Sequence, residues 1–217
     1  LNRNANGLLL NQMDSITYSY NTNTNNQLNG IVDRNTNVAL DGKANDIYGT
    51  HSYQYDKTGN LTKEIGDELV PSTIVPGTYD RYSVTTDITW DVYGKVKDVI
   101  KKRIPVGPGD PSTTHILFGY DATGNRVKKE VITDANDPAQ DVVTYYVRDA
   151  SGNMMGTYER KNELVSGTNY NAVFKAKELP IYGSQRIGEV TDEPEIARVP
   201  FDASQGIPDI TLNAGDV

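Results

Sequence analysis

Cysteine is absent from the 217 residues, which excludes a disulfide framework, a thiolate nucleophile and a zinc-thiolate site. Histidine is scarce. His51 and His115 are the only two, each beside an expected strand and without a second histidine or a carboxylate pair at ligand spacing, so neither a metal centre nor a triad is expected. Excess positive charge is missing as well. Lys and Arg number 21 against 29 Asp and Glu, a net charge of −8, and no basic cluster reaches the density that neutralising phosphates requires, so nucleic acid is not an expected partner. No apolar run approaches the roughly 20 residues of a membrane-spanning helix, no signal peptide opens the chain, and the start, LNRNANGLLL, reads as the middle of something longer. Helical periodicity is nearly absent, and the exceptions EIGDEL and KAKEL are too short to stand as helices. Ser184 lies in YGSQRIG, which is neither a GxSxG elbow nor a phosphate loop, and reads instead as a turn that ends a run of repeats.

What the chain does hold suits strands and tight turns. There are 14 Tyr against 3 Phe and 1 Trp, with 19 Gly and many Asn and Asp, and the mean hydropathy of −0.57 suits a thin, loop-rich fold better than a compact helical enzyme. The length allows one domain or two. One short pattern recurs: an aromatic, an Asp, two variable residues, a Gly, then Asn or Lys and an apolar residue. The copies are YDKTGNL from Tyr55, WDVYGKV from Trp90, YDATGNRV from Tyr120 and the degenerate RDASGNMM from Arg148, at spacings of 35, 30 and 28 residues. A looser copy, YNTNTNNQL, begins at Tyr20 with two extra turn residues.

Each copy has hairpin chemistry, since the Asp can cap the turn through its side chain while the Gly takes a positive φ. The turn residues singled out are Tyr55, Asp56, Gly59 and Asn60; Trp90, Asp91 and Gly94; Tyr120, Asp121, Gly124 and Asn125; and Asp149, Gly152 and Asn153. Their flanks alternate as strands do: ITW and VKDVIKK around Asp91, ILFGY and RVKKEVIT around Asp121, VVTYYV before Arg148. In SYQYDKTGNLTKEI, alternation places Tyr53, Tyr55, Leu61 and Ile65 on one face and Gln54, Thr62 and Glu64 on the other. VPSTIVPG, PVGPGDPS and TDANDPAQ read as loops or hairpin tips, and the pattern fades from Thr191 onward. The expected organisation is therefore an all-β run of five or six irregular hairpins over residues 1–188, followed by an extended strap or linker over 189–217.

This series resembles the tyrosine-aspartate (YD, or RHS) repeats of bacterial polymorphic toxins, toxin-complex subunits and animal teneurins. The stretch Tyr145 to Gly188 is similar to the one that precedes the closing region in such proteins from Bacteroidota. The resemblance implies a spiral sheet that is an open segment of a hollow shell, a secreted or bacterial cell-surface location, and a possible enclosed cargo or toxin domain. The family's closing motif, DPxxGRFxxxDP, does not occur here, so neither self-cleavage nor toxicity carries over.

Two functional readings compete with the structural one. The repeated aspartates suggest calcium, but each turn supplies one Asp where a calcium loop needs several within about 12 residues, so no metal and no cofactor is expected. The aromatics Tyr20, Tyr53, Tyr55, Trp90, Tyr120 and Tyr145 could form a glycan-stacking platform of a surface adhesin, whereas a cross-strand ladder within the sheet is the expected arrangement. The sequon Asn60-Leu61-Thr62 is incidental to the turn. The expectation is thus a structural wall segment and not an enzyme, whose sheet edges are covered by the remainder of its own polypeptide or by a partner chain.

Overall fold

The computed structural model of the chain describes residues 2–4, 12–23, 27–34, 47–72, 75–134, 137–183, 185–190 and 194–210. Ser184, Thr191 and parts of the VPSTIVPG and TDANDPAQ connectors lie outside them, as do residues 211–217 of the tail.

The chain is all-β, and its contacts divide it into two compact units, Leu1–Thr113 and Thr114–Val217. Unit 1 holds β1 (Asn2–Asn4), β2 (Gln12–Tyr20), β3 (Leu28–Asp33), β4 (Tyr48–Tyr55), β5 (Leu61–Pro71), β6 (Tyr79–Trp90) and β7 (Val96–Pro105). Each pairs antiparallel with the next in chain order. Unit 2 holds β8 (Ser112–Tyr120) apart from its first two residues, β9 (Arg126–Ile132), a 3-10 turn at Pro138–Gln140, β10 (Val142–Arg148), β11 (Met154–Ser166), β12 (Asn169–Tyr182), β13 (Arg186–Val190) and β14 (Glu195–Asp202). These also pair antiparallel and in order up to β13.

The long strand β12 serves two partners. Its first half, Asn169 to Lys175, pairs with β14, and its second half, Leu179 to Tyr182, with β13. The stretch read as a strap thus contains a strand that returns to the sheet, with the Phe201 ring stacked on Tyr170 at 5.6 Å.

Alternation sets which face is buried. In unit 2 the facing register puts Val143, Arg160, Phe174 and Ala197 in one cross-strand row, and the neighbouring rows on that face carry Tyr145, Asn162, Ala172 and Tyr170. Val143 and Phe174 are 0% and 1% exposed, and each contributes about 1.5–3 kcal/mol of burial. Among the described residues of unit 1 the buried positions are Ile16, Ile31, Asp33, Gly66 and Val84.

The simple alternation in SYQYDKTGNLTKEI is corrected. Tyr55 faces Leu61 but Gln54 faces Lys63, so Thr62 is skipped and Glu64, not Ile65, lies opposite Tyr53. Ile65 faces Ser52 on the other side and is 40% exposed. The reason is a β-bulge, in which one extra residue shifts the inside-outside parity of everything that follows. The same slip follows each repeat turn, skipping Asn29, Lys97, Val127 and Met155.

Candidate functional site: the repeated turn and its cross-repeat hydrogen bond

The four YD-type turns share one hydrogen-bond pattern. At the first, the Asp56 N–H donates to the Asn60 carbonyl (2.9 Å) and the Gly59 N–H to the Asp56 carbonyl (3.2 Å). The Asp56 carboxylate accepts from the backbone N–H groups of Thr58 (2.8 Å) and Asn60 (2.9 Å), and its second oxygen accepts from the Asn60 amide (3.0 Å). Asp121 receives Thr123 and Asn125, both at 2.9 Å, and Asp149 receives Ser151 (2.9 Å) and Asn153 (2.8 Å). Asp91 receives Tyr93 (2.8 Å) and Lys95 (2.9 Å), although Lys95 has no amide to complete the ring.

The fourth residue of each turn lies at positive φ: Gly59 at 92°, Gly94 at 74°, Gly124 at 83° and Gly152 at 87°. That is the left-handed region where a Cβ is penalised. The looser copy keeps the outline, since the Asn21 N–H donates to the Gln27 carbonyl and the Asn21 side chain accepts from the Asn23 N–H. Residues 24–26 of that copy lie outside the described ones.

These hydrogen bonds stabilise the ionised carboxylate. The Thr58 hydroxyl contributes most at Asp56 and the Thr123 hydroxyl most at Asp121, each holding its aspartate down to about 2. Asp149, whose largest partner is the Asn153 amide, is also lowered.

In two of the copies the opening aromatic reaches backward. The Tyr55 hydroxyl donates to the Leu28 carbonyl (3.1 Å), and the Trp90 indole N–H to the Leu61 carbonyl (2.8 Å). Leu28 and Leu61 are the first strand residues after the preceding turn. Tyr182 repeats the contact, donating to the carbonyl of Met154, the first strand residue after the turn of Asp149 to Asn153. Three hairpins are thus pinned to their predecessors by one side chain each, at separations of 27, 29 and 28 residues. In the degenerate copy Arg148 donates instead to Gly152 of its own turn.

The contacts of the aromatics are of two kinds. Tyr145 pairs with Phe174 (6.3 Å) and Tyr170 with Phe201, while Tyr55 and Trp90 turn their polar tips to backbone carbonyls. Tyr182 was missed because the residues that follow it in the sequence, Gly-Ser-Gln, carry neither the Asp nor the glycine at the fourth position.

Two further polar centres lie on the buried faces. In unit 1, β4 bulges so that Tyr48 faces Asp67 and Ser52 faces Ile65. His51 leans over Gly66, where a Cβ would come within 2.3 Å of the imidazole Nδ1. Its Nδ1 is 3.1 Å from Glu64 Oε1 and its Nε2 is 3.2 Å from the Tyr48 carbonyl. In unit 2 the tail crosses the sheet face. The Ile210 carbonyl accepts from the Tyr145 hydroxyl (3.0 Å) and Arg160 Nη1 (2.9 Å), and Asp209 pairs with Lys128 (3.3 Å). Beneath lie Asp141, Arg160 and Asn162, at 2%, 2% and 4% exposure. Among the described residues no group of three or more His, Asp or Glu could hold a metal ion. No described helix is long and apolar enough to cross a membrane, which says nothing of strands.

No family model matches the sequence, and neither does any curated protein. Among solved structures, the crystal structure of TcdB2-TccC3-TEV is similar with a TM-score of 0.34 and 13% identity. The match covers 92% of this chain and 12% of that one.

Proposed function

We propose that this chain is a non-catalytic wall segment of the YD-repeat kind, part of a larger secreted or cell-surface protein that can enclose a cargo. The observation that carries the reading is the recurrence of one turn at Asp56, Asp91, Asp121 and Asp149, with the backward hydrogen bond made by Tyr55, Trp90 and Tyr182. This arrangement joins neighbours without a large core, which suits a thin wall. An adhesin that stacks sugars on its aromatics is the competing proposal, but Tyr55 and Trp90 direct their polar tips at backbone carbonyls inside the sheet.

A wall segment leaves strand edges that neighbouring sequence or a partner chain must cover. β13 is exposed along all five of its residues, and Ile187 is 69% exposed. Light scattering on the purified chain tests this: concentration-dependent association is expected, and a monomer that persists at high micromolar concentration would count against the open wall. A glycan array distinguishes the competing proposal, because saturable sugar binding lost on replacing exposed tyrosines would favour the adhesin.

A further inference from the structure

We propose that the protein carries a built-in proton clamp in each unit, His51 between Glu64 and the Tyr48 carbonyl and Asp141 beneath the buried face of unit 2, so that mild acid tightens the fold and alkali loosens it.

At His51 the geometry favours the imidazolium. Both ring nitrogens face acceptors, Glu64 Oε1 and the Tyr48 carbonyl. A neutral imidazole has one N–H and can satisfy only one of them, whereas the imidazolium satisfies both. The ring lies over Gly66, in the space that a side chain at position 66 would need. The charged groups around it come from three strands. β5 supplies Glu64 and Asp67, Tyr53 on β4 hydrogen-bonds Glu64, and Lys101 on β7 offsets part of the Glu64 charge. Ile31 of β3, directly opposite, adds none. His51 is accordingly held above its ordinary value, first by the Glu64 hydrogen bond and against the opposing effect of burial.

At Asp141 the same sign arises from the opposite chemistry. The carboxyl is 2% exposed, and neither its Oδ1 nor Asn162 Oδ1 has a protein donor. Glu130 on β9 and Asp137 and Asp134 before the 3-10 turn add negative charge, while Arg160 on β11 opposes them. Arg160 already divides its donors between the Ile210 carbonyl and Glu130, 4.0 Å away. Burial pushes Asp141 up to about 6.

The two windows adjoin. A proton that the folded chain holds more tightly than the unfolded chain stabilises at low pH, and this is lost as pH rises from the unfolded to the folded value. For Asp141 the loss runs from 3.8 to about 6. For His51 it begins at 6.5 and ends at its raised folded value.

The test is the urea midpoint of the full chain at pH 5, 6.5 and 8. High salt screens the general repulsion of a chain with net charge −8, which would itself ease as pH falls toward 4.8. The midpoint is expected to fall in both intervals. Asp141→Asn should abolish the first drop and His51→Gln the second. A wild-type midpoint that is flat or rises with pH overturns the proposal, as does either variant keeping its drop. Should a variant fail to fold, the wild-type NMR titrations decide: a His51 C2–H titrating at or below 6.5, or an Asp141 carboxyl at or below 3.8, refutes that clamp.

Discussion

Replacing Tyr55 with Phe isolates the backward hydrogen bond, because it removes one oxygen and leaves the ring. The hydroxyl donates to the half-buried Leu28 carbonyl at 3.1 Å. A net intramolecular hydrogen bond contributes about 0.5–1.5 kcal/mol, and an acceptor stranded out of water costs about 1–3 kcal/mol. Leu28 is only partly covered, so water replaces some of what is lost and the expected cost is about 1 kcal/mol. Tyr182→Phe is the internal control. Its hydroxyl makes the same bond to Met154, but Tyr182 is 41% exposed, so a loss below about 0.5 kcal/mol is expected where water can re-form the contact. Equilibrium denaturation measures the two losses, and amide hydrogen exchange locates them: Tyr55→Phe should speed exchange in the first hairpin, from Tyr18 to Gly30, more than in β6 and β7. Equal losses for the two variants, or uniform exchange across unit 1, would show that the contact does not join hairpins.

Three other outcomes follow from the turns. Gly94 sits at φ 74° with nothing within 4 Å of an added Cβ, so Gly94→Ala should cost about 1–2 kcal/mol from backbone strain alone, while Val92→Ala, at 93% exposure, should stay within about 0.5 kcal/mol on the same denaturation curve. A calcium chelator should leave the thermal midpoint unchanged, since both carboxylate oxygens of Asp56, Asp121 and Asp149 already accept hydrogen bonds; a shift of several degrees would overturn this. Because the folded values of Asp56 and Asp121 are held down to about 2, their contribution is full above an unfolded value near 3.8 and lost as pH falls through about 2. The turns should thus survive at pH 3, and Asp56→Asn with Asp121→Asn should flatten the acid limb of a circular-dichroism titration.

The all-β class was legible because alternating strands flank six-residue stretches such as YDKTGN that leave few backbone options. Face assignment beyond each turn was not. The slip at Thr62 is a backbone event with no side-chain mark, and it moved Glu64 to the side of Tyr53. The His51–Glu64 pair stayed hidden for a related reason: the partners are 13 residues apart and meet only because β4 bulges opposite Gly66. Tyr182 lacked the Asp that marked the other turns, and β14 lacked the hairpin turn that would have announced a strand. Long-range pairing of β14 with the first half of β12 depends on where the chain can return, which no local pattern encodes.

The odd residue after every turn sets a rule for how such a chain can grow or shrink. Connectors at the other end of the hairpins differ in length, from the two residues Gly167 and Thr168 to the longer stretch between β9 and β10. The slip recurs at a fixed distance from the turn, so each hairpin re-establishes its own parity regardless of what the connector did. The backward contact needs only an aromatic at the turn entrance and a bare carbonyl one hairpin earlier, and a carbonyl exists at every residue. Whole hairpins are thus interchangeable parts. Duplicating or deleting one shifts length in steps of about 30 residues without turning any downstream strand inside out, whereas losing a single residue between turn and slip inverts a strand.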